Sequence, residues 1–327
     1  VTVIQEAGCT RKALVREANN CLVREELLLM RDFDEMQELA RQVGPKKVAV
    51  VLAHDDVILK AVDHCKKRGI VKPVLIGDAQ KLKEIARALE YCLDEDEVID
   101  EADSGKAAVA AVDLINKGGA DLIMKGKIQT ADLIKAVLDR KTGIRAGRLL
   151  SQVNVHYSPV FNRFMFVSDA AINIAPALEQ KVDICRNAIT VAHALGIAEP
   201  KVAALTAHES VSEAMPATVD AHEIKMLNQR QVITEAVIDG PIALDVALDA
   251  AAAAKKGISS PIAGQVDILI APNIEAANIL TKAIIYFGQA RNAGVVMGAK
   301  VPIILLSRSD NADTKINSMA LGVVLSA

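Results

Sequence analysis

Three observations predict an α/β fold built from doubly wound parallel sheet. Seven short apolar runs recur along the 327-residue chain, helical patterns fill the gaps between them, and turn residues bound each run. The core must be aliphatic, because 51% of the residues are hydrophobic but only 2% are aromatic and tryptophan is absent. Strands buried on both faces have that composition.

The elements follow in order. KKVAVVLAHD (46–55) is the first strand and leads into the helix DDVILKAVDHCKKRG (55–69), opened by an Asp N-cap and closed by glycine. VKPVLIGD (71–78) is the second strand. GKAAVAAVDLINKGG (105–119) is a helix with the same glycine stop, and it feeds the strand ADLIMKG (120–126). RKTGIRAGRLLSQVNVHYSPVFNRF (140–164) is irregular, with two glycines, a proline and four arginines, and marks a domain boundary near 150. RFMFVSDAA (163–171), PKVAALTAHES (200–210), VDILIAPN (266–273) and VPIILLS (301–307) complete the strands. Asp239-Gly240-Pro241 reads as a turn opening a helix that carries Asp245. Residues 1–29 are charged and helical ahead of Met30, the pattern of an N-terminal extension or added segment; a capping helix is the competing reading.

Composition excludes several functions. A net charge of −3 lacks the broad basic footprint of a nucleic-acid binder. Cysteines 9, 21, 65, 92 and 185 form no C-x-x-C pair, so free thiols in a reducing cytoplasm are expected and no metal site. No apolar run reaches membrane-spanning length, and the first thirty residues lack a secretory pattern. A soluble cytoplasmic protein with no membrane partner is expected.

In an open parallel sheet the carboxyl ends of the strands face the ligand crevice. Those ends carry His54-Asp55, Lys125-Gly126-Lys127, Ser168-Asp169, His208-Glu209-Ser210, Pro272-Asn273 and Ser307-Arg308. Cations and hydroxyls dominate this set, which suits a phosphate-bearing anion. In MKGKIQTADLIKAVL (124–138), Lys125 and Lys127 flank a glycine, and Thr130 caps a helix whose amides would attract an anion. The plainer reading is a pair of solvated lysines. Neither G-x-x-x-x-G-K-[ST] nor G-x-G-x-x-G is present. His208-Glu209 and His222-Glu223 fit no zinc spacing, and Ser168 and Ser210 lack a G-x-S-x-G elbow. His54, His64, His156 and His193 read as structural or surface residues.

From Met30 onward the chain resembles the phosphate acetyl/butyryltransferase family, and within it the butyryltransferase branch. The resemblance is carried by VAVVLAHDDVILKAV, LIMKGKIQTADLIKAVL, GRLLSQV, VSDAAINIAPALEQKVDICRNA, DGPIALDVALD, SPIAGQVDILIAPNIEAANILTKA and PIILLSRSDNADTKINSMAL, in order over nearly three hundred residues. It implies two α/β domains around a cleft, an architecture like that of isocitrate and isopropylmalate dehydrogenases. Domain I would comprise 30–150 plus 295–327, and domain II, inserted and dimerising, 151–294. It also implies reversible transfer of a short acyl group, butyryl by branch, between CoA and inorganic phosphate through a ternary complex. Coenzyme A is then a substrate, no cofactor is tightly bound, and the protein is a homodimer or larger homo-oligomer. Alternatives are a phosphate acetyltransferase, a dehydrogenase of similar fold and a non-catalytic relative.

The resemblance assigns Arg308 to the phosphoryl group and Ser307 to the reacting carbonyl or phosphate. The base of the acetyltransferase branch lies seven residues after the serine, which here is Thr314. Asp313 is therefore the expected base, with Asp310 as rival; on a helix the two would share a face. Lys125, Lys127, Thr130, Lys135 and Asn278 are expected to bind phosphate or CoA, with Lys135 standing where the acetyltransferase branch tends to have arginine. Ala277-Asn278 departs from the family's Gly-Asn, so the methyl either strains a positive-φ position or tightens a pocket.

Overall fold

The computed structural model describes residues 29–94, 96–307 and 310–327. The expected N-terminal extension lies almost wholly outside the described residues, and Arg308 lies outside them too. The described residues begin with α1 (Phe33–Val43), β1 (Lys46–Val51), α2 (Asp56–Lys67), β2 (Val71–Gly77), α3 (Ala79–Ala88), β3 (Glu97–Asp100). They continue with α4 (Ser104–Asn116), β4 (Leu122–Lys125), α5 (Thr130–Val137), β5 (Ser151–Ser158), β6 (Arg163–Ser168), α6 (Leu178–Ala194), β7 (Lys201–Leu205). Next come α7 (Pro216–Gln229), β8 (Val237–Ile242), α8 (Leu244–Leu248), α9 (Ala250–Lys256) and β9 (Ile268–Ile270). The last elements are α10 (Ile274–Tyr286), β10 (Arg291–Met297), β11 (Ile303–Ile304) and α11 (Ala312–Leu325).

The α/β class is as the sequence predicts, but among the described residues the strands join in one eleven-stranded sheet, ordered β3-β2-β1-β4-β11-β10-β5-β6-β9-β7-β8. Both flanks are parallel, and the centre is antiparallel where β10 meets β11 and β5, and β5 meets β6. Both faces are covered. On β1, Val48 and Val50 pack with Phe33, Leu59 and Met319, while Ala49 and Val51 pack on the opposite side with Ala107, Val112 and Leu133. A third cluster joins Met165, Val167, Val246 and Ala277. No helix among the described residues is long and apolar enough to cross a membrane.

All seven expected strands form, and β3, β5, β8 and β10 are additional. The segment 140–164 is less irregular than expected, because SQVNVHYS within it is β5. Its polar residues alternate with Val153, Val155 and Tyr157, a strand period hidden by the glycines and arginines before it. Asp239-Gly240-Pro241 lies within β8, not in a turn, although Asp245 does lie on the helix that follows. The Asp N-cap of α2 forms: Asp55 accepts from the N–H groups of Val57 and Ile58, both at 3.1 Å. Thr130 is the first residue of α5 and does not cap it; Gln129 holds the cap position without a side-chain bond. Ala277 lies inside α10, fully buried, so its methyl fills core space and strains no left-handed backbone.

Candidate active site

Strands β1, β4 and β11 are parallel neighbours, so the loops that follow them emerge side by side. Asp55, Lys125, Lys127 and Ser307 consequently line one cavity of about 350 Å³, with Lys315 reaching in from α11. Gly126 allows this convergence. Its N–H donates to the Val51 carbonyl at 2.8 Å, and the Lys127 N–H donates to that of Leu52 at 2.9 Å. A Cβ at residue 126 would lie 2.4 Å from each of those carbonyl oxygens, so only glycine lets the loop lie against the end of β1. Lys315 is buried and donates to the Asp310 carbonyl. Burial pushes its ammonium pKa down, opposed by the charges of Asp310 and Asp55. Among the described residues that line this cavity, three lysines against the one carboxylate of Asp55 make it cationic.

A second cavity of about 200 Å³ shares Leu306 and Ser307 with the first. Its floor is the central antiparallel sheet, where Gln152 and Asn154 of β5 share a face with Asn292 of β10. Asn278, Thr281 and Lys282 of α10 line it from above, and Thr130 and Asp310 complete it. Asp310 accepts from the Ser307 N–H at 2.8 Å and lies 3.8 Å from the Lys282 ammonium. The Lys282 charge is therefore balanced within this cavity. Asn154 Nδ2 and Thr281 Oγ1 are buried with no hydrogen-bond partner among the described residues.

The sequence-selected residues divide. Ser307, Lys125, Lys127, Thr130, Asn278 and Asp310 come together on the two joined cavities. Asp313 lines neither. It pairs with Arg291 at 3.3 Å and accepts from Asn317 Nδ2 at 3.2 Å, tying α11 to β10. Nor do the two acids share a helical face, because α11 begins at Ala312, capped by Asn311, and Asp310 precedes it. Thr314, at the position of the acetyltransferase base, is buried and donates to Asn292 Oδ1 at 2.9 Å. Lys135 lines a separate cavity of about 310 Å³ with Asp132 and Asp139; five residues at ~100° each rotate it away from Thr130 on α5. Arg308 lies outside the described residues.

The other strand ends have structural work. Asp169 is buried and accepts N–H bonds from Gln152, Ala171, Ile172 and Asn173, and Ser168 donates to the Gln152 carbonyl. Asn273 caps α10. Glu209 pairs with Lys256 at 2.9 Å, away from both cavities. Burial pushes the Cys65 and Cys185 thiols up to about 12, which makes them unreactive. Sequence reasoning missed Lys282, Lys315, Asn154 and Thr281. The polar alternation of Gln152, Asn154 and His156 was the available signal for Asn154; the lysines carry none, since a lysine on a helix reads most simply as a solvated side chain.

His156 continues that alternation, fully buried, with neither ring nitrogen partnered among the described residues. Burial, with the Lys282 charge adding to it, pushes its pKa down to about 4. Below about 6.5 the unfolded chain therefore binds a proton that the folded chain refuses, and stability falls as pH drops toward 4. The full effect is about 3 kcal/mol. In His156→Asn that acid loss is expected to vanish, so the unfolding free-energy difference between variant and wild type should shift by this amount from pH 7 to 4. Denaturant titration checks it, and a pH-independent difference would contradict the assignment.

Comparison with known proteins agrees with this geometry. Residues 97–323 match the family model described as Phosphate acetyl/butaryl transferase. The chain is 40% identical over 299 residues to a phosphate butyryltransferase of Clostridium beijerinckii, covering 91% of this chain and 99% of that one. It is 41% identical over 292 residues to a phosphate acetyltransferase of Thermotoga maritima, covering 89% and 99%. The crystal structure of a branched-chain phosphotransacylase from Enterococcus faecalis superposes with a TM-score of 0.77 at 31% identity, covering 86% of this chain and 99% of that one.

Proposed function

The chain belongs to the phosphate acetyl/butyryl transferase family, and on that premise we propose that it transfers a short acyl group reversibly between CoA and inorganic phosphate. The observation that carries this reading is the pair of cavities meeting at Ser307, one cationic and one neutral. Phosphate, or the phosphoryl end of an acyl phosphate, occupies the cationic cavity, held by Lys125, Lys127 and Lys315, with Arg308 as the further cation that the family resemblance assigns to it. The acyl group extends into the neutral cavity, and its carbonyl sits at the junction beside the Ser307 hydroxyl.

Asp310 takes the thiol proton of CoA. The sulfur then attacks the carbonyl carbon, and the developing oxyanion is met by Ser307 and the neighbouring cations. The C–S bond forms as the bond from carbonyl carbon to phosphate oxygen breaks. The electron pair leaves with phosphate, which collects the proton from Asp310. No covalent enzyme intermediate is needed, and holding both substrates at one junction supplies much of the acceleration. Asp310 is favoured over Asp313 because it lines the cavity beside Ser307, whereas Asp313 lines neither cavity.

Relatives bearing butyryl, acetyl and branched-chain names support a short acyl substrate of about four carbons with loose length discrimination. CoA acts as a diffusing substrate, no cofactor is tightly bound, and the enzyme works in the cytoplasm. A homo-oligomer is supported by Ile279, Tyr286 and Phe287, which stand exposed on and just after α10. The division into domain I (30–150 and 295–327) and domain II (151–294) is supported by the strand order, which keeps β1–β4 with β11 and β6–β9 together on the opposite flank. The return point near 295 falls within β10 and is better set after Met297.

The test follows CoA release with a thiol reagent from acetyl-, propionyl-, butyryl- and isobutyryl-CoA, with and without phosphate, alongside Arg308→Ala. Release is expected to require phosphate and to fall about 10²–10³-fold in the variant. If every thioester stays intact, the transferase reading fails.

A further inference from the structure

The neutral cavity has a chemical character that a plain alkyl chain does not match. Asn154 and Thr281 are each more than nine-tenths buried, both line the cavity, and Asn154 Nδ2 and Thr281 Oγ1 lack a hydrogen-bond partner among the described residues. Buried donors are ordinarily satisfied. A butyryl chain drawn into this space would exclude water from both atoms and offer nothing in return.

Phosphate does not fit them better. A dianion is drawn to the neighbouring cavity, where three lysines face one carboxylate, whereas here Lys282 is balanced by Asp310 at 3.8 Å. The occupant that suits the neutral cavity is uncharged, short, and carries an oxygen able to accept from an amide N–H and exchange a hydrogen bond with a hydroxyl. Apolar surface from Ala170, Ala171, Ile285 and Leu305 remains for its carbon skeleton.

We infer that Asn154 and Thr281 are specificity-determining residues that select a hydroxyl-bearing short acyl group over the unsubstituted chain of the same length. This rests on the phosphate acyltransferase reading and deepens it by naming the acyl class. Asn154 Nδ2 donates to the substrate hydroxyl oxygen, and that hydroxyl bonds with Thr281 Oγ1. A site built to pair with a hydroxyl discriminates against the analogue lacking one, because its own polar atoms are left unpaired.

The experiment compares phosphate-dependent CoA release from butyryl-CoA, 2-hydroxybutyryl-CoA and both enantiomers of 3-hydroxybutyryl-CoA. It uses the full chain, Thr281→Val and Asn154→Leu. Thr281→Val keeps the side-chain shape and removes only the hydroxyl, so it reads out specificity even if Asn154→Leu folds poorly. One hydroxybutyryl thioester is expected to exceed butyryl-CoA in kcat/KM by about tenfold or more. In Thr281→Val, which keeps the Asn154 donor, that ratio should fall several-fold, through loss on the hydroxyacyl substrate and relief of the unpaired hydroxyl on butyryl-CoA. A wild-type preference for butyryl-CoA, or a ratio unmoved in Thr281→Val, overturns the inference while leaving the acyltransferase standing. Failure of all four thioesters to release CoA with phosphate removes both.

Discussion

Replacing Asp310 with asparagine is expected to lower kcat by about 10²–10⁴-fold, the range for loss of a positioned general base. Its carboxylate lines the neutral cavity next to Ser307, and it accepts from the Ser307 N–H at 2.8 Å. Asparagine retains an acceptor for that N–H, so the serine loop keeps its shape while the proton acceptor is lost. The pH profile separates a base from a residue that merely orients Ser307. Without a base only preformed thiolate reacts, and a free thiol titrates near pH ~8.5. Residual activity of Asp310→Asn in the direction consuming CoA should then climb about tenfold per pH unit up to that point. The wild-type profile should be much flatter over the same range. A variant that is slow but has the wild-type profile would assign Asp310 to positioning and leave the base elsewhere. Asp313→Asn is the companion experiment. It breaks the contacts to Arg291 and Asn317 and is expected to alter stability slightly and the profile not at all.

The second large effect is expected from Gly126→Ala. The added methyl would lie 2.4 Å from the carbonyl oxygens of Val51 and Leu52, and backbone atoms at a strand end cannot step aside as a flexible side chain does. The loop must lift, losing its two bonds to β1. The expected cost is about 1–3 kcal/mol of stability, as for overpacking elsewhere. The functional cost is larger, because Lys125 and Lys127 move with the loop and the proposed phosphate seat opens. KM for phosphate should rise about tenfold or more, since even a 1 Å misplacement can cost that much. Gly105→Ala is the control. Residue 105 lies in the first turn of α4, and a Cβ there meets only Asp103 at an ordinary 3.4 Å. That variant should be neutral or slightly stabilising by thermal melting, with phosphate KM unchanged. If Gly126→Ala behaves the same way, the close-approach account of the loop is wrong.

The sequence by itself determined the fold class, most of the strands, the capped start of α2 and the family, because each depends on short-range pattern. Side chains on a doubly buried strand are apolar wherever the strand lies, and an Asp N-cap bonds amides two and three residues away. The Ser307 segment and the Lys125-Gly126-Lys127 loop were legible for the same reason. Strand β5 was obscured by its neighbours, although its alternation of polar and valine residues was intact.

Only the tertiary structure decided which acid faces the cavity. Asp310, Asp313 and Thr314 are nearly equivalent when counted from Ser307. They separate because Asn311 caps α11, which begins at Ala312 and turns Thr314 inward to Asn292 and Asp313 outward to Arg291. The same holds for Lys282, Lys315 and the placing of Asn154 and Thr281 on one cavity. These residues stand on elements far apart in the chain, and no local spacing encodes that a central antiparallel strand, a helix above it and a loop from the parallel flank meet at one serine. Their convergence follows from strand order, which is set by packing the whole sheet.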